Sequence, residues 1–177
     1  MENRKKTRFW AFLLLNGLLL MSITAIGYLA WDKLPQRVPV HFGADGTPNR
    51  WAEKGWEVIL LFIMPWLLTG LMYGFTALIP WLRRHPQWVN IPNKEKFLSL
   101  PPEKQAPIFD YIIEVLTSLA AAINFLFLCL CYGVVQVAIG VYSSLPWWAV
   151  GPGLGLVFCI VIINIVRVYG IIDRMNL

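Results

Sequence analysis

Charge is the first thing this chain is short of. Charged residues occupy 14% of its 177 positions, against about 25% in soluble domains. Few of them interrupt the long apolar runs. Histidine appears twice and cysteine three times. Cys129, Cys131 and Cys159 lie inside apolar runs. An odd number so placed excludes a disulfide framework. Cys129 and Cys131 form C-x-C with no histidine nearby, so a zinc site has too few ligands. The three read as small packing residues. No G-x-S-x-G, H-E-x-x-H, P-loop or dinucleotide-binding pattern occurs. We therefore expect no enzymatic activity and no cofactor. Alternating ten-residue segments are also missing, which excludes a transmembrane β-barrel.

What the chain has is apolar length. Hydrophobic residues make up 58% of it, and it holds nine Trp, several at the ends of apolar runs, where an amphipathic ring suits the headgroup region. A spanning helix needs about 20 mostly apolar residues. Four runs meet that: about 9–30, 58–81, 112–142 and 147–168. The first follows Met1–Arg8 and is too long for a signal-peptide core, so it reads as a retained anchor. Pro65 lies in the second. Pro107 suits a helix start ahead of the third. The expected fold is all-α: one domain, a four-helix transmembrane bundle with an extracytoplasmic loop between helices 1 and 2.

Orientation follows from the cations. Arg4, Lys5, Lys6, Arg8, Arg83, Arg84, Lys94, Lys96, Lys104, Arg167 and Arg174 fall on one side of a four-span chain. Lys33, Arg37, Arg50 and Lys54 fall on the other. Eleven against four predicts both termini in the cytoplasm of a cell membrane. The net charge of +5 is then an orientation signal. No basic stripe is interleaved with exposed aromatics, so we expect no nucleic acid partner.

Polar groups inside the runs are few: Asn16, Thr69, Thr117, Ser118, Asn124, Gln136 and Asn164. Such amides usually bond between helices. A polar pathway is the alternative, but no ionisable residue stands at mid-span as a coupled carrier needs. Gly70 with Gly74, and Gly151 with Gly155, have the GxxxG spacing that lets backbones approach. Ala120–Ala122 offers a smooth patch in the third span.

The most distinctive stretch is the outer loop. Pro35 and Pro39 keep it extended, and Val38, Val40 and Phe42 alternate with Pro39 and His41 as in a short strand. Asp45-Gly46 signals a turn. Thr47-Pro48 has the form of a helix start, with Thr47 as cap and Pro48 in the first turn. A short helix there would carry Trp51 towards Trp56 at the headgroups. His41 with Asp45 and Asp32 is too small a set for a metal site, and we expect none. His41 reads as a structural histidine tying the loop together. On the other side, Asn90-Ile91-Pro92-Asn93-Lys94 forms a polar turn before Phe97.

Leu34-Pro35, Val38-Pro39-Val40-His41-Phe42, Gly46, Pro48 and Trp51 resemble the L-P-x-x-I/V-P-x-H-F-x-x-x-G-x-P-x-x-W signature of a bacterial multi-pass membrane family of unknown function. That module is shared with the N-terminal part of SdpI-like immunity proteins. Asn90, Pro92, Asn93 and Lys94 resemble an N-x-P-N-K motif of one branch. The resemblance implies a bacterial multi-pass membrane protein of largely unassigned role, with SdpI-like immunity or signalling; the motif-dense outward loop leads us to expect that it binds or senses an extracytoplasmic peptide, an envelope component or a membrane-protein partner. It carries Pro35, Pro39, His41, Phe42, Gly46, Pro48 and Trp51 as the outer motif. The chain ends after four spans, without the region that follows in the SdpI-like proteins. A small transporter or transporter subunit is the alternative expectation, motivated by Asn124, Gln136 and the glycines of the fourth span.

Overall fold

The structure is a computed structural model that describes residues 2–91 and 93–174. The chain forms α1 (Glu2–Trp31), β1 (Arg37–Phe42), β2 (Pro48–Glu53), α2 (Trp56–Arg84), α3 (Lys94–Ser99), α4 (Pro102–Ala138) and α5 (Gly151–Arg174). α1, α2, α4 and α5 are long and apolar enough to cross a membrane. Their outward side chains, such as Leu14, Leu71, Phe75, Phe158 and Ile162, are exposed. Only lipid makes that surface favourable, since in water it would far exceed the apolar patches that monomers tolerate. The protein is an all-α, multi-pass membrane protein of four spanning helices.

α4 is the hub. In its most apolar stretch 44% of residues are buried, against 17% in α1 and α2 and 11% in α5. The three other spans all pack on it, while α1 and α2 touch each other less. The small residues Ala120, Ala121 and Ala122 are all buried, which makes the middle of α4 narrow enough for neighbours to approach.

Helix boundaries differ from the apolar runs: α1 already starts at Glu2, α5 covers Gly151–Arg174, and α4 differs at both ends. α4 starts at Pro102, ahead of the Pro107 expected to open it, and Pro107 lies inside the helix. Pro102 takes the first-turn position, where its missing N–H costs nothing. The first turns carry polar residues because they extend past the apolar zone. At the far end α4 stops at Ala138, and Gly140, at φ +80°, turns the chain. Val141 and Tyr142 donate their N–H groups to the Gln136 carbonyl, so they belong to the turn and not to the span.

Glycine spacing proved a poor guide to contact. A Cβ placed on Gly70, Gly74 or Gly155 would meet nothing within 4 Å. The close approach falls on Gly153, between Gly151 and Gly155, where a Cβ would stand 2.6 Å from Leu126 Cα. Gly153 is therefore the position that seats α5 on α4.

Pro65 sits in the middle of α2 and is buried. A proline there leaves the carbonyl four residues earlier without its helical donor. That carbonyl belongs to Leu61, and the Cys131 Sγ of α4 donates to it at 3.8 Å. In a lipid-solvated helix such a freed acceptor needs a neighbour's donor.

Two apolar clusters sit at opposite ends. One joins Ala30, Leu34, Val38, Val58, Val134 and Val135 at the hairpin end. The other joins Ile79, Val89, Phe97, Ile108 and Phe109 at the end that carries the start of α1 and the finish of α5.

Candidate functional site

The outer loop is a β-hairpin, and this corrects the expected helix start at Thr47-Pro48. β1 and β2 pair antiparallel, with Val38 opposite Ala52, Pro39 opposite Trp51 and His41 opposite Arg50. Pro48 opens a strand. The reason lies in the turn before it. The Asp45 carboxylate accepts the Thr47 N–H at 3.0 Å and the Thr47 hydroxyl at 2.7 Å. Thr47 is thus consumed by Asp45 and cannot cap a helix. Gly46 adopts φ +79°, a conformation open chiefly to glycine, and the chain reverses. β2 then finds its backbone partners in β1, which an isolated six-residue helix would lack. The Thr47 bonds hold the Asp45 carboxyl below its ordinary value. The ladder is irregular around His41, consistent with Pro39, which has no N–H to give.

One face of the hairpin is spent on packing. Leu34, Val38 and, opposite Val38, Ala52 are buried, and Val40 and Phe42 pack against the same cluster; Pro39, which faces the other way opposite Trp51, is buried as well. The tip is docked as well. Leu145, in the connection after α4, donates its N–H to the Gly46 carbonyl at 2.8 Å. A Cβ on Gly46 would stand 2.4 Å from the Leu145 carbonyl oxygen. The hairpin therefore caps this end of the bundle and ties its two connections together.

Apart from the buried Pro39, the opposite face is open and mostly polar. His41 and Asn49 are exposed and bonded to each other through Nδ1 and Oδ1. Arg50 reaches Glu57 at 3.0 Å. Trp51 is 42% exposed. Pro35 is exposed at the entry to the hairpin, and Pro48 is half-buried. Of the outer motif, Pro39, Phe42 and Gly46 thus do structural work, while His41 and Trp51 remain presented. Asp45 is engaged with Thr47 and His41 with Asn49. Among the described residues, no three His, Cys, Asp or Glu side chains gather as a metal ion would require.

The inner motif builds a turn. Asn93 adopts φ 52° ahead of α3, a left-handed conformation that Asn tolerates well. Asn90, Asn93 and Lys94 are exposed, and Pro92 lies outside the described residues. The turn delivers Phe97 into the inner cluster, edge-on to Phe109 at 5.8 Å. The buried Gln105 donates to the carbonyls of Phe97 and Leu100 and so holds α3 against the start of α4.

Sequence reasoning named Asn16, Thr69, Thr117 and Asn124 singly but could not pair them. The fold joins them across three helices. Asn124 Nδ2 of α4 donates to Asn16 Oδ1 of α1 at 2.7 Å and to Thr69 Oγ1 of α2 at 2.9 Å. Asn16 Nδ2 donates to the Thr117 carbonyl and to the Tyr73 hydroxyl, both at 3.2 Å. Asn16 and Asn124 are 1% and 0% exposed. Among the described residues no buried side-chain polar atom lacks a partner. The group is a clasp at mid-bundle. Asn164 links α5 to α4 by accepting from the Tyr111 hydroxyl.

Two cavities flank this clasp along α1 and α2. One of about 690 Å³ lies near the hairpin and is lined by Thr24, Gly27, Trp31, Phe62 and Trp66. The other, about 760 Å³, lies near the start of α1. At that end Asp110 of α4 accepts from both Lys5 of α1, at 2.7 Å, and Arg83 of α2. Arg8 meets Glu114 at 3.1 Å.

Comparison with known proteins touches the part of the chain just described. A family model described as a domain of unknown function (DUF1648) matches residues 17–69, which run from α1 through the hairpin into α2. An uncharacterized protein of Archaeoglobus fulgidus is 30% identical over 83 residues, 46% of this chain. The matched stretch is 45% of that relative, so the chain spans about half its length. No solved structure matches.

Proposed function

We propose that this protein is a non-catalytic receptor of the cell membrane, which meets a peptide, an envelope component or a partner protein at the open face of its hairpin. The observation that carries this reading is the two-sidedness of the hairpin. The face of Val38 and Ala52 is engaged in packing, yet the other presents His41, Arg50 and Trp51, beside a buried Pro39, on a backbone fixed at both its base and its tip. Aromatic and arginine side chains on a rigid platform are what binding surfaces concentrate. The excess of Lys and Arg at the opposite end supports a hairpin outside the cell and termini in the cytoplasm. The likeness of the outer motif to the SdpI-like immunity module supports a peptide as the thing met.

The transporter alternative has weaker support. Asn16, Thr69 and Asn124 satisfy one another and are closed off from solvent, which suits a clasp better than a path.

The test is cellular. Cells expressing the protein are challenged with secreted killing peptides and envelope stress, against a vector control. His41→Ala, Arg50→Ala and Trp51→Ala leave the packed face intact, so protein level and melting in detergent should stay unchanged while protection falls. Protection that equals wild type at normal protein level, or no protection by the wild type, sinks the reading.

A further inference from the structure

The cavity near the start of α1 has a graded lining. At one end its lining holds Lys5, Lys6 and Arg8 of α1 with Asp110 and Glu114 of α4; further along the spans it holds the half-buried Phe9, Phe12 and Ile113 and the exposed Ala77. The lining cations outnumber the lining carboxylates three to two. Arg83 adds a further positive charge against Asp110. The apolar run of α1 begins at Phe9, so the charged rim falls where the span ends and headgroups begin. A space of about 760 Å³ is within the roughly 300–1,000 Å³ of ligand sites.

One charged end and one greasy end in a single cleft fit an amphiphile. We propose that this cleft holds one anionic diacyl phospholipid, its phosphate at Lys5, Lys6 and Arg8 and an acyl chain along Phe9, Phe12 and Ile113. Basic pockets between spanning helices are suited to acidic headgroups. The ion pairs already present leave donors to spare. The pair with Asp110 occupies one direction of an ammonium that has three N–H bonds, and Arg8 reaches Glu114 through Nη1 alone, of a guanidinium with five N–H bonds. The two carboxylates orient these cations and set a limit on affinity. The lining comes from α1, α2 and α4, with Ile171 of α5, so a bound lipid would bridge the three helices of the clasp and touch the fourth.

Full-length protein in a neutral detergent is mixed with phosphatidylglycerol or phosphatidylcholine of matched chains, and retained lipid is read by native mass spectrometry and by thermal shift. Phosphatidylglycerol should be retained at least ten-fold better. Glycerol phosphate, which has the anion without the tails, should neither stabilise the protein nor displace the lipid. Each cation removed should weaken retention about five-fold, so Lys5→Gln with Arg8→Gln should cost about 25-fold. Because those changes also break ion pairs, Ala77→Trp fills the apolar half and leaves the pairs alone; it should abolish the lipid-induced shift. Lys33→Gln, at the hairpin end, should change nothing. Equal retention of the two lipids, equal stabilisation by glycerol phosphate, or wild-type retention by Ala77→Trp would each overturn the proposal.

Discussion

Gly46→Ala offers a direct measure of how firmly the hairpin is docked. Two effects add at this position. The first is conformational: Gly46 has φ +79°, and a left-handed backbone costs an L-residue about 1–2 kcal/mol. The second is steric. The new Cβ would come 2.4 Å from the Leu145 carbonyl oxygen, and a backbone atom cannot swing aside as a side chain can. Either the tip or the connection must retreat, and the 2.8 Å bond from Leu145 N to the Gly46 carbonyl is lost, worth about 1 kcal/mol. Together the change should destabilise by about 2–3 kcal/mol. Gly140→Ala supplies the control. Gly140 has φ +80°, and a Cβ there would meet nothing within 4 Å, so only the conformational cost of about 1–2 kcal/mol applies. Denaturation of the purified protein in mixed micelles, followed by tryptophan fluorescence, gives both values. Hydrogen exchange at the Leu145 amide then locates the difference, with faster exchange in Gly46→Ala and unchanged exchange in Gly140→Ala. Equal destabilisation by the two variants, with Leu145 still protected in both, would refute a docked tip.

Three further outcomes follow from other contacts. Asn16→Ala and Asn124→Ala should each destabilise by about 1 kcal/mol, in line with interhelical bonds in membranes, and the double variant should cost clearly less than their sum, because both remove the same bond; a strictly additive cycle counts against the clasp. Cys131→Val should destabilise wild type by removing the donor to the Leu61 carbonyl, yet cost less in a Pro65→Ala background, where the restored N–H can serve that carbonyl; the same cost in both backgrounds refutes the link. Because Asp45 has a lowered pKa in the folded hairpin, its turn contribution is full above the ordinary aspartate value of about 3.9 and fades as pH falls through the lower folded value. Amide exchange at Thr47 should therefore quicken in acid, and Asp45→Asn, which keeps the acceptor without the titration, should flatten that pH dependence.

The spans were readable because lipid demands length and apolarity in one continuous stretch, and that demand is written locally. The same locality explains the errors. Thr47-Pro48 carries the residue types of a helix start, and nothing nearby in the chain says that Asp45 will take the Thr47 hydroxyl or that β1 waits to pair with β2. The first turns of α4 were missed because Glu103, Lys104 and Gln105 are polar, and an apolar criterion stops where the lipid does. Gly70 and Gly74 match a spacing rule, yet contact depends on which face meets a neighbour, which only the assembled helices decide. In the outer motif, the residue types that made it conspicuous divide into two kinds. Gly46, Pro39 and Phe42 are explained by backbone shape and packing, and His41 and Trp51 are left over. The fold makes that division, since sequence spacing does not tell an inward side chain from an outward one once the ladder is irregular at His41.

The bond between Gly46 and Leu145 also bears on biosynthesis. A chain emerging from the ribosome delivers α1, the hairpin and α2 well before residue 145 exists. During that interval Val38 and Phe42 lack Val134 and Val135 of α4, and the tip has no dock. The hairpin must wait, half finished, until the third span has entered the bilayer and the connection after α4 is in place. The assembly step that completes the hairpin end is thus a late one, and slowing the arrival of α4 should lengthen the window in which proteases can cut the loop between the first two spans.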